Sequence, residues 1–227
     1  MLDKASVAQI KKEIGNPHET MKEKAPKGVH LTWEDHQPAG TPKRIQQIMG
    51  SELVSPTLNE FIRSPAMLDV MEQIIGPELI IYHSKLLMKA PNIGDCHFPW
   101  HQDYQYWQYA LKEPTPVNCA LAIDPQTIPN GCLYYVPGSN KKGILPHETF
   151  EASAFSVGMS GDIRAFPGVP VEYDAGDICL FGCIVIHGSE PNRTNESAIF
   201  NTCAYDVPGN FKDRAIRHEL VRTRVAA

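Results

Sequence analysis

Two histidines and one aspartate carry the clearest chemical signal in the sequence. Residues 97–104 read His-Phe-Pro-Trp-His-Gln-Asp-Tyr, so that His101 and Asp103 form a His-x-Asp pair. Residues i and i+2 of an extended chain project from the same face. With a second imidazole from elsewhere in the chain, such a pair forms the facial triad that holds non-heme Fe(II) and leaves coordination positions open. We expect His187, which follows an apolar segment, to be this third ligand.

The alternative is that these residues are ordinary surface histidines. The chain has 9 His, so a single His-x-Asp tripeptide can arise by chance and is weak as a motif. The aromatic residues around the pair, the apolar run before His187 and the polar segment after it favour a metal site. His97, four residues before His101, is expected to support the loop rather than to bind metal.

The first third of the chain is expected to supply helices. Residues 1–50 are polar and contain several prolines, which predicts a loop-rich stretch with one short helix at 6–14. Over residues 55–76, apolar residues recur at spacings of three, four and seven, typical of one buried helical face. Pro65 is expected to divide this segment into two helices, with Ser64 capping the second.

The rest of the chain loses the helical period and is expected to form strands. Short apolar or β-branched segments are separated by Gly, Pro and Asn, as in antiparallel sheets. The predicted strands are 79–89, 117–123, 132–136, 169–173, 178–186 and 197–207. The fold class is therefore mainly β, a sandwich or barrel with N-terminal helices packed on one sheet.

The composition is that of a globular protein with a core of its own. The 227 residues fit one domain, and 42% hydrophobic with 21% charged residues argues against wholesale disorder. The formal net charge is −5 and no long run of Lys or Arg occurs, which argues against a nucleic-acid or membrane partner. No segment approaches the roughly 20 apolar residues of a membrane span. A small molecule is therefore the expected partner.

The cysteines and the first residues bear on the compartment. The six cysteines are scattered singly, mostly among apolar residues, and the first residues lack the apolar core of a signal peptide. We therefore expect a cytoplasmic protein with reduced, buried thiols rather than disulfides. Cys179 and Cys183 have a spacing that suits zinc, but no second pair completes four ligands.

Three segments resemble a known family. They are HFPWHQDYQYW at 97–107, NGCLYYVPGSNKKGILPHE at 130–148 and AGDICLFGCIVIHGSEPNRT at 175–194. In this order and at this spacing they resemble the phytanoyl-CoA dioxygenase (PhyH) family of Fe(II)- and 2-oxoglutarate-dependent oxygenases. The resemblance implies a double-stranded β-helix, a cupin-like jelly roll, with residues 79–207 as its core in a single domain of residues 1–227. Residues 1–50 match no family motif.

The resemblance also implies roles for individual residues. His101, Asp103 and His187 would be the iron ligands and thus the catalytic centre. Ser189 matches a family serine that helps to hold the carboxylate of 2-oxoglutarate.

One position departs from the family. An Arg usually stands about eleven residues past the distal His and pairs with the far carboxylate of 2-oxoglutarate, but here that position is Ala198. Arg193 or Lys85 could take over, unless Arg193 is a loop charge in solvent and Lys85 a charge at a strand edge. His83 shares the strand face of Lys85 and could bind co-substrate or substrate, unless it is a satisfied core histidine.

Aromatic residues after the metal motif are candidates for the substrate pocket. Tyr104, Tyr106 and Trp107 offer flat apolar contact with polar tips, and the alternative for each is packing in the core or rim. Relatives often carry a Trp near Ala120, so the pocket is expected to be wider on that side. Because related halogenases replace the carboxylate ligand with a small residue, Asp103 favours hydroxylation or another oxidation over halogenation.

The leading functional hypothesis is an iron enzyme. It would use Fe(II), 2-oxoglutarate and O₂ to hydroxylate or otherwise oxidise a C–H bond of a small metabolite, in secondary metabolism, with release of succinate and CO₂. Because Ala198 replaces the expected Arg, two alternatives stay open. One is a β-helix protein that binds a small ligand or metal with weakened or no turnover, and the other is an iron oxygenase that does not use 2-oxoglutarate.

Overall fold

The computed structural model describes residues 2–21, 25–34, 40, 44–91, 97–149, 157–159, 167–215 and 218–223. Its helices lie mainly in the first third of the chain. They are α1 (Lys4–Ile14), α2 (Pro17–Thr20), α3 (Pro56–Ile62), α4 (Pro65–Ile75) and α5 (Tyr104–Trp107), with short 3₁₀ turns at Ser51–Leu53 and Ser139–Lys142.

The strands begin before the helices end and continue to the end of the described chain. They are β1 (His30–Trp33), β2 (Ile45–Met49), β3 (Leu79–Lys89), β4 (Phe98–His101), β5 (Val117–Ala122), β6 (Leu133–Tyr135), β7 (His147–Thr149), β8 (Val157–Met159), β9 (Val169–Pro170), β10 (Ile178–Gly182), β11 (His187–Ser189), β12 (Ala198–Asp206) and β13 (Leu220–Arg222).

Two antiparallel sheets form the body of the described chain. The large sheet has the order β1-β2-β3-β12-β5-β10, with β13 also paired to β3, and the small sheet has the order β4-β11-β6-β9. Strands β7 and β8 form a separate pair. This arrangement confirms the predicted mainly β class.

The large sheet buries both faces because neighbouring residues of a strand point to opposite sides. One face packs against α1, α3 and α4 and forms a layer that we call the helix layer, with Ile10, Leu58, Met71, Leu86, Met88, Leu121, Cys203 and Tyr205 among its buried residues. The other face packs against the small sheet and forms the barrel interior, with Leu87, Phe98, Ala120, Leu133, Tyr135, Phe181 and Phe200. The N-terminal helices thus pack on one sheet, as predicted.

The helix boundaries at 55–76 follow from their caps. The Ser55 hydroxyl accepts a hydrogen bond from the Leu58 amide, and the Ser64 hydroxyl accepts one from the Met67 amide, which satisfies amides at each helix start that have no partner inside the helix. A proline stands at the first position of α3 and of α4, where its missing N–H costs nothing. The predicted division at Pro65 and the cap at Ser64 are confirmed.

The predicted single strand over 178–186 is wrong. Strand β10 ends at Gly182, the chain turns, and His187 begins β11 in the small sheet rather than ending a strand of the large one. The apolar run continues through the turn because Cys183 and Ile186 are buried there, so hydrophobicity alone does not reveal where β10 ends and β11 begins.

The loop-rich reading of residues 1–50 is also wrong in part. The helix at 6–14 is confirmed as α1, but β1 and β2 extend the large sheet beyond β3. Strand β2 carries Gln46 and Gln47, both buried. These two adjacent polar residues interrupt the alternation of apolar and polar residues from which a strand is recognised in a sequence. The other predicted strands are confirmed with small shifts at their ends, except that 169–173 shortens to Val169–Pro170.

The cysteines agree with the expectation of free thiols. Cys119, Cys132, Cys179, Cys183 and Cys203 are free, and burial raises the pKa of Cys119 to about 12. Cys96 lies outside the described residues.

Candidate active site

The structure brings the three predicted metal ligands together at one end of the barrel interior. His101 is the last residue of β4 and pairs in register with His187, the first residue of β11. Asp103 follows two residues later, and its side chain does not cap α5. One ligand atom from each of the three residues lies within 4.8 Å of the other two. The Asp103 carboxylate oxygens lie 3.7 Å from His101 Nε2 and 3.6 Å from His187 Nε2.

Backbone carbonyls orient both imidazoles. His101 Nδ1 lies 2.7 Å from the Pro99 carbonyl oxygen, and His187 Nδ1 lies 3.0 Å from that of Val185. With Nδ1–H donating to a carbonyl, each ring presents the lone pair of Nε2 toward Asp103, which is the tautomer that a metal requires.

Two amide side chains hold the triad in place. Asn118 on β5 donates a 2.8 Å hydrogen bond to Asp103 Oδ2. Gln102 is fully buried, and its side-chain amide donates to the carbonyls of Gly143 and Ile184 while accepting from the Leu145 amide. Gln102 therefore ties the His-x-Asp segment to the turn before His187. Sequence reasoning missed both residues, because neither amide belongs to a recognisable spacing.

The charge states of the site suit metal binding. Burial lowers the pKa of His187 to about 4, with help from nearby His101, so its imidazole is neutral near pH 7. Burial alone would raise the pKa of Asp103, but the neighbouring His187, Lys85 and His101 together hold it well below its ordinary value. Two imidazoles and one carboxylate are the donor set of a non-heme Fe(II) site, so the residues present fit this metal.

The triad lies between a small cavity and a larger groove. The cavity, of about 30 Å³, lies in the barrel interior and is lined by the triad together with Lys85, Leu87, Phe98, Asn118, Phe200 and Thr202 among others. The groove, of about 500 Å³, is lined by His101 and Asp103 and by His83, Lys85, Tyr106 and Trp107 among others. Gln47 and Met49 of β2 also line the groove, so the N-terminal region contributes to it.

The predicted aromatic residues divide between the groove and the core. Tyr106 and Trp107 line the groove, and Trp107 packs edge-on against the His83 ring. Tyr104 does not line it. That side chain is 5% exposed, and its hydroxyl donates to the Lys112 carbonyl at 3.1 Å, so that Tyr104 fastens α5 to the following loop. Position alone could not separate these three residues, because a short helix directs them to different sides.

The predicted co-substrate residues also separate. His83 and Lys85 face the groove, and the buried His83 Nε2 has no hydrogen-bond partner. Burial and the nearby Lys85 charge lower the pKa of His83 to about 3. Ser189 lies two residues beyond His187 on β11. Arg193 is exposed in the following loop, and the structure does not bring it to the lining of the cavity or groove.

A lysine that the motifs did not single out lies behind the cavity. Lys89, the last residue of β3, is 1% exposed, and its Nζ donates to Ser189 Oγ at 2.5 Å. The strand period could have found it, because Lys85, Leu87 and Lys89 share one face of β3.

No helix in the described part of the chain is both long and apolar enough to cross a membrane.

Known proteins resemble this chain in sequence and in fold. A profile of the phytanoyl-CoA dioxygenase (PhyH) family matches residues 1–199, and this match includes residues 1–50, where the motifs gave no signal. A probable phytanoyl-CoA dioxygenase of Caenorhabditis elegans is 34% identical over 161 residues, which are 66% of this chain and 51% of that protein. The chain thus spans about half the length of this curated relative.

Two solved structures support the predicted fold. The non-heme monooxygenase ThoJ superposes with a TM-score of 0.76 at 20% identity, over 99% of this chain and 78% of that one. EctD from S. alaskensis, solved with 2-oxoglutarate and 5-hydroxyectoine, superposes with a TM-score of 0.71 at 20% identity, over 92% and 71%. These similarities confirm the jelly-roll fold. The profile match over most of the chain shows that the protein belongs to the phytanoyl-CoA dioxygenase (PhyH) family.

Proposed function

We propose that the protein is an Fe(II)- and 2-oxoglutarate-dependent dioxygenase that hydroxylates or otherwise oxidises a C–H bond of a small metabolite. The observation that carries the proposal is the buried cluster of His101, Asp103 and His187 beside an open groove. The donor set suits Fe(II), and one side of it faces space in which a substrate fits. The 2-oxoglutarate bound to the structural neighbour EctD supports the choice of co-substrate.

The side chains of this protein would bind, orient and shield the reacting groups. His101, Asp103 and His187 would hold the iron, and Asn118 would keep the Asp103 carboxylate in its orientation. When bound, iron and 2-oxoglutarate supply the oxidising chemistry, in which O₂ is consumed, 2-oxoglutarate becomes succinate and CO₂, and one oxygen atom enters the substrate. All three ligands are less than 7% exposed, which keeps bulk water from the site.

The groove indicates the kind of substrate. Its volume of about 500 Å³ lies within the roughly 300 to 1,000 Å³ of small-molecule sites. Tyr106 and Trp107 would contact the substrate through flat aromatic surfaces. Lys85 lines both groove and cavity, so a negatively charged group would be favoured nearby. We therefore propose a small-molecule partner, and no nucleic acid or membrane.

The same proposal covers the domain and the compartment. We treat residues 1–227 as a single dioxygenase domain, since β1, β2 and the helices pack on the sheet that carries the site. The free cysteines suit a reducing compartment such as the cytoplasm.

Anaerobic titration tests the proposed function. Metal-free protein receives Fe(II) and then 2-oxoglutarate, and the weak visible charge-transfer band of an iron-chelated 2-oxo acid is recorded. We expect the band in the wild type and in His30→Ala, which removes an exposed imidazole of β1, and its absence in His187→Ala. Iron binding without the band would favour an oxygenase with another reductant. Failure to bind iron would favour a β-helix protein that binds a ligand without turnover.

A further inference from the structure

The groove beside the triad contains a lysine that has no partner within the described chain. Lys85 is half-buried and lines both the groove and the cavity. Among the described residues, none forms a hydrogen bond or an ion pair with its ammonium group. Lys89 on the same strand, by contrast, donates to three oxygen atoms. A partly desolvated charge without a partner costs free energy, and a bound anion would offset that cost.

Asp103 does not compensate the Lys85 charge once a metal is bound. It is the one carboxylate among the described residues that line the groove, and as a metal ligand it would commit its charge to Fe(II). Because the ammonium group and Fe(II) are both positive, the lysine opposes metal binding. The metal therefore does not explain why a lysine lies beside the triad, and an anionic ligand does.

A buried imidazole nitrogen lies near this lysine. His83 stands two residues before Lys85, so both side chains project from the same face of β3, toward the groove. The His83 Nε2 atom is buried and has no hydrogen-bond partner. Packing fixes the His83 ring, whose centroid lies 5.0 Å from that of Tyr82 and 5.1 Å from that of Trp107. A carboxylate has two oxygen atoms, so it can pair with an ammonium group and an imidazole N–H together.

Four rings form one wall of the groove, which we call the ring wall. They are Tyr82, Trp107, Phe211 and His218. The Tyr82 centroid lies 5.4 Å from that of Trp107 and 5.8 Å from that of Phe211. Phe211 and His218 stack, with centroids 4.6 Å apart. Such a surface offers flat apolar contact, which fits a molecule with a planar apolar body.

The last described part of the chain supplies half of the ring wall. Phe211 and His218 lie beyond residue 199, where the family match ends. Phe211 forms a β-bridge with Leu111, in the loop after α5. On β13, Arg222 forms an ion pair with Asp69 of α4 at 2.6 Å. These contacts hold the segment, and with it the two rings, beside the groove.

We propose that the substrate is a small planar organic acid, whose carboxylate pairs with Lys85 and His83 and whose apolar body lies against the ring wall. The inference rests on the proposed function, because it assumes that the groove leads the substrate to iron at the triad. It narrows the substrate from a small metabolite to an anion with a flat body, for which the groove volume of about 500 Å³ is sufficient.

An acid and its amide test the preference for an anion. Phenylacetate and phenylacetamide have the same planar body, and only the acid is charged. Calorimetric titration of the anaerobic protein loaded with Fe(II) and 2-oxoglutarate gives a dissociation constant for each. We expect the wild type to bind phenylacetate at least about tenfold more tightly than phenylacetamide. Equal or reversed affinities, or binding of neither probe, would overturn the inference, and this comparison needs no variant.

Lysine variants show whether the preference belongs to Lys85. In Lys85→Met, phenylacetate should bind no more tightly than phenylacetamide, while Fe(II) and 2-oxoglutarate bind at least as tightly as in the wild type. Lys85→Arg keeps the positive charge and should keep the preference. Lys141→Met removes an exposed charge and should behave as the wild type. A retained preference in Lys85→Met, or a loss of 2-oxoglutarate binding in its place, would overturn the inference.

Two smaller changes test the other contacts. His83→Phe keeps the aromatic packing and removes the imidazole N–H, so phenylacetate should bind about three- to tenfold more weakly. His218→Ala removes one ring of the ring wall and should weaken both probes by a similar factor, because the lost contact is apolar. Unchanged binding of phenylacetate in both variants would show that the acid lies elsewhere and would overturn the inference.

The visible band of the iron-chelated 2-oxo acid separates this inference from the proposed function. If the wild type shows the band but does not prefer phenylacetate to phenylacetamide, the inference fails and the proposed function stands. If the band is absent, the proposed function fails whichever probe binds.

Discussion

The two faces of the large sheet differ in chemistry although the same strands build both. On β3, Leu86 and Met88 enter the helix layer, whereas Lys85 and Lys89 face the barrel interior. On β12, Cys203 packs with the helices and the neighbouring Thr202 lines the cavity. A single strand thus alternates between residues that stabilise the fold and residues that build the site. We therefore expect that substitutions one residue apart can affect stability and metal binding separately.

Both layers contain buried polar groups. In the helix layer, Ser51 and Ser84 hydrogen-bond to each other, and the Asn201 side-chain amide donates to both, but Asn201 Oδ1 has no hydrogen-bond partner. On the barrel side, Asn118 donates to Asp103, whereas Thr202 Oγ1 and His83 Nε2 are buried without a partner. An unpaired buried polar group costs free energy, and Thr202 and His83 line the cavity and the groove, where a bound molecule could offset that cost.

The largest expected effect is the loss of a metal ligand in the barrel interior. His187→Ala should abolish Fe(II) binding and succinate formation, while the melting temperature of the metal-free protein changes by no more than about 4 °C. Calorimetric titration with Fe(II) and thermal unfolding measure the two quantities. Retained turnover, or a large fall in melting temperature, would contradict the idea that one layer serves metal binding and the other serves stability.

The reverse experiment truncates a side chain in the helix layer. Leu121 on β5 is fully buried against the helices, so Leu121→Ala should lower the free energy of unfolding by about 2–5 kcal/mol through lost contacts and a cavity. Fe(II) stoichiometry at low temperature should stay at the wild-type value. Urea unfolding measures the loss, with Leu53→Ala, at a 52% exposed leucine, as the control. A loss of iron with intact stability would contradict the comparison.

A smaller effect is expected for the residue that orients the carboxylate ligand. Asn118 is the neighbour of the helix-layer residue Cys119 but faces inward and bonds to Asp103. Asn118→Ala should weaken Fe(II) binding by about 10- to 100-fold, as for other partners of metal ligands. Competition with a chelator measures the affinity, and Asn140→Ala, at an exposed position, serves as the control. Equal affinity in both variants would show that Asp103 needs no orienting partner.

The smallest effect is a pH dependence within the helix layer. Burial would raise the pKa of Glu13, but hydrogen bonds from Ser55, Gln9 and Thr57 lower it to about 2. A lowered folded-state pKa stabilises the protein above the ordinary value of 4.5, and this contribution is lost as the pH falls from about 4.5 toward 2. Glu13→Gln should therefore cost less than about 1 kcal/mol at pH 7 and nothing near pH 2, as measured by urea unfolding at several pH values. If the difference in unfolding free energy between the wild type and Glu13→Gln were the same at every pH, the ionisation of Glu13 would not be its cause.

Local sequence patterns were sufficient to predict the elements whose ends are marked by Gly, Pro or a capping serine. The predicted strand 79–89 agrees with β3 at both ends, because Gly76 and Pro77 precede it and Pro91 follows. The caps at Ser55 and Ser64 define α3 and α4 in the same way. The triad was predictable for two reasons. Few residue types bind this kind of metal, and in an extended chain only alternate residues, such as His101 and Asp103, point to the same side.

Long-range features were not predictable in this way. The turn after Gly182 lies inside an apolar run, so only the pairing of β11 with the small sheet separates it from β10. Lys89 reads as a polar strand end, and nothing near it in the sequence reveals that Ser189 lies against its ammonium group. Tyr104 and Tyr106 look alike in sequence, yet the first faces the core and the second the groove.

The hydrogen bond between Lys89 and Ser189 joins residues 100 positions apart in the chain. Closing so long a loop costs entropy before the contact contributes any stabilisation. Contacts between residues this far apart in the sequence therefore form late in folding. The helix layer brings α3 and α4 next to β3, a near neighbour in sequence, and so can assemble earlier. The three residues proposed to hold Fe(II) likewise come together only after β4 and β11 have paired, so a nascent or truncated chain that already has its helices would be unable to bind the metal.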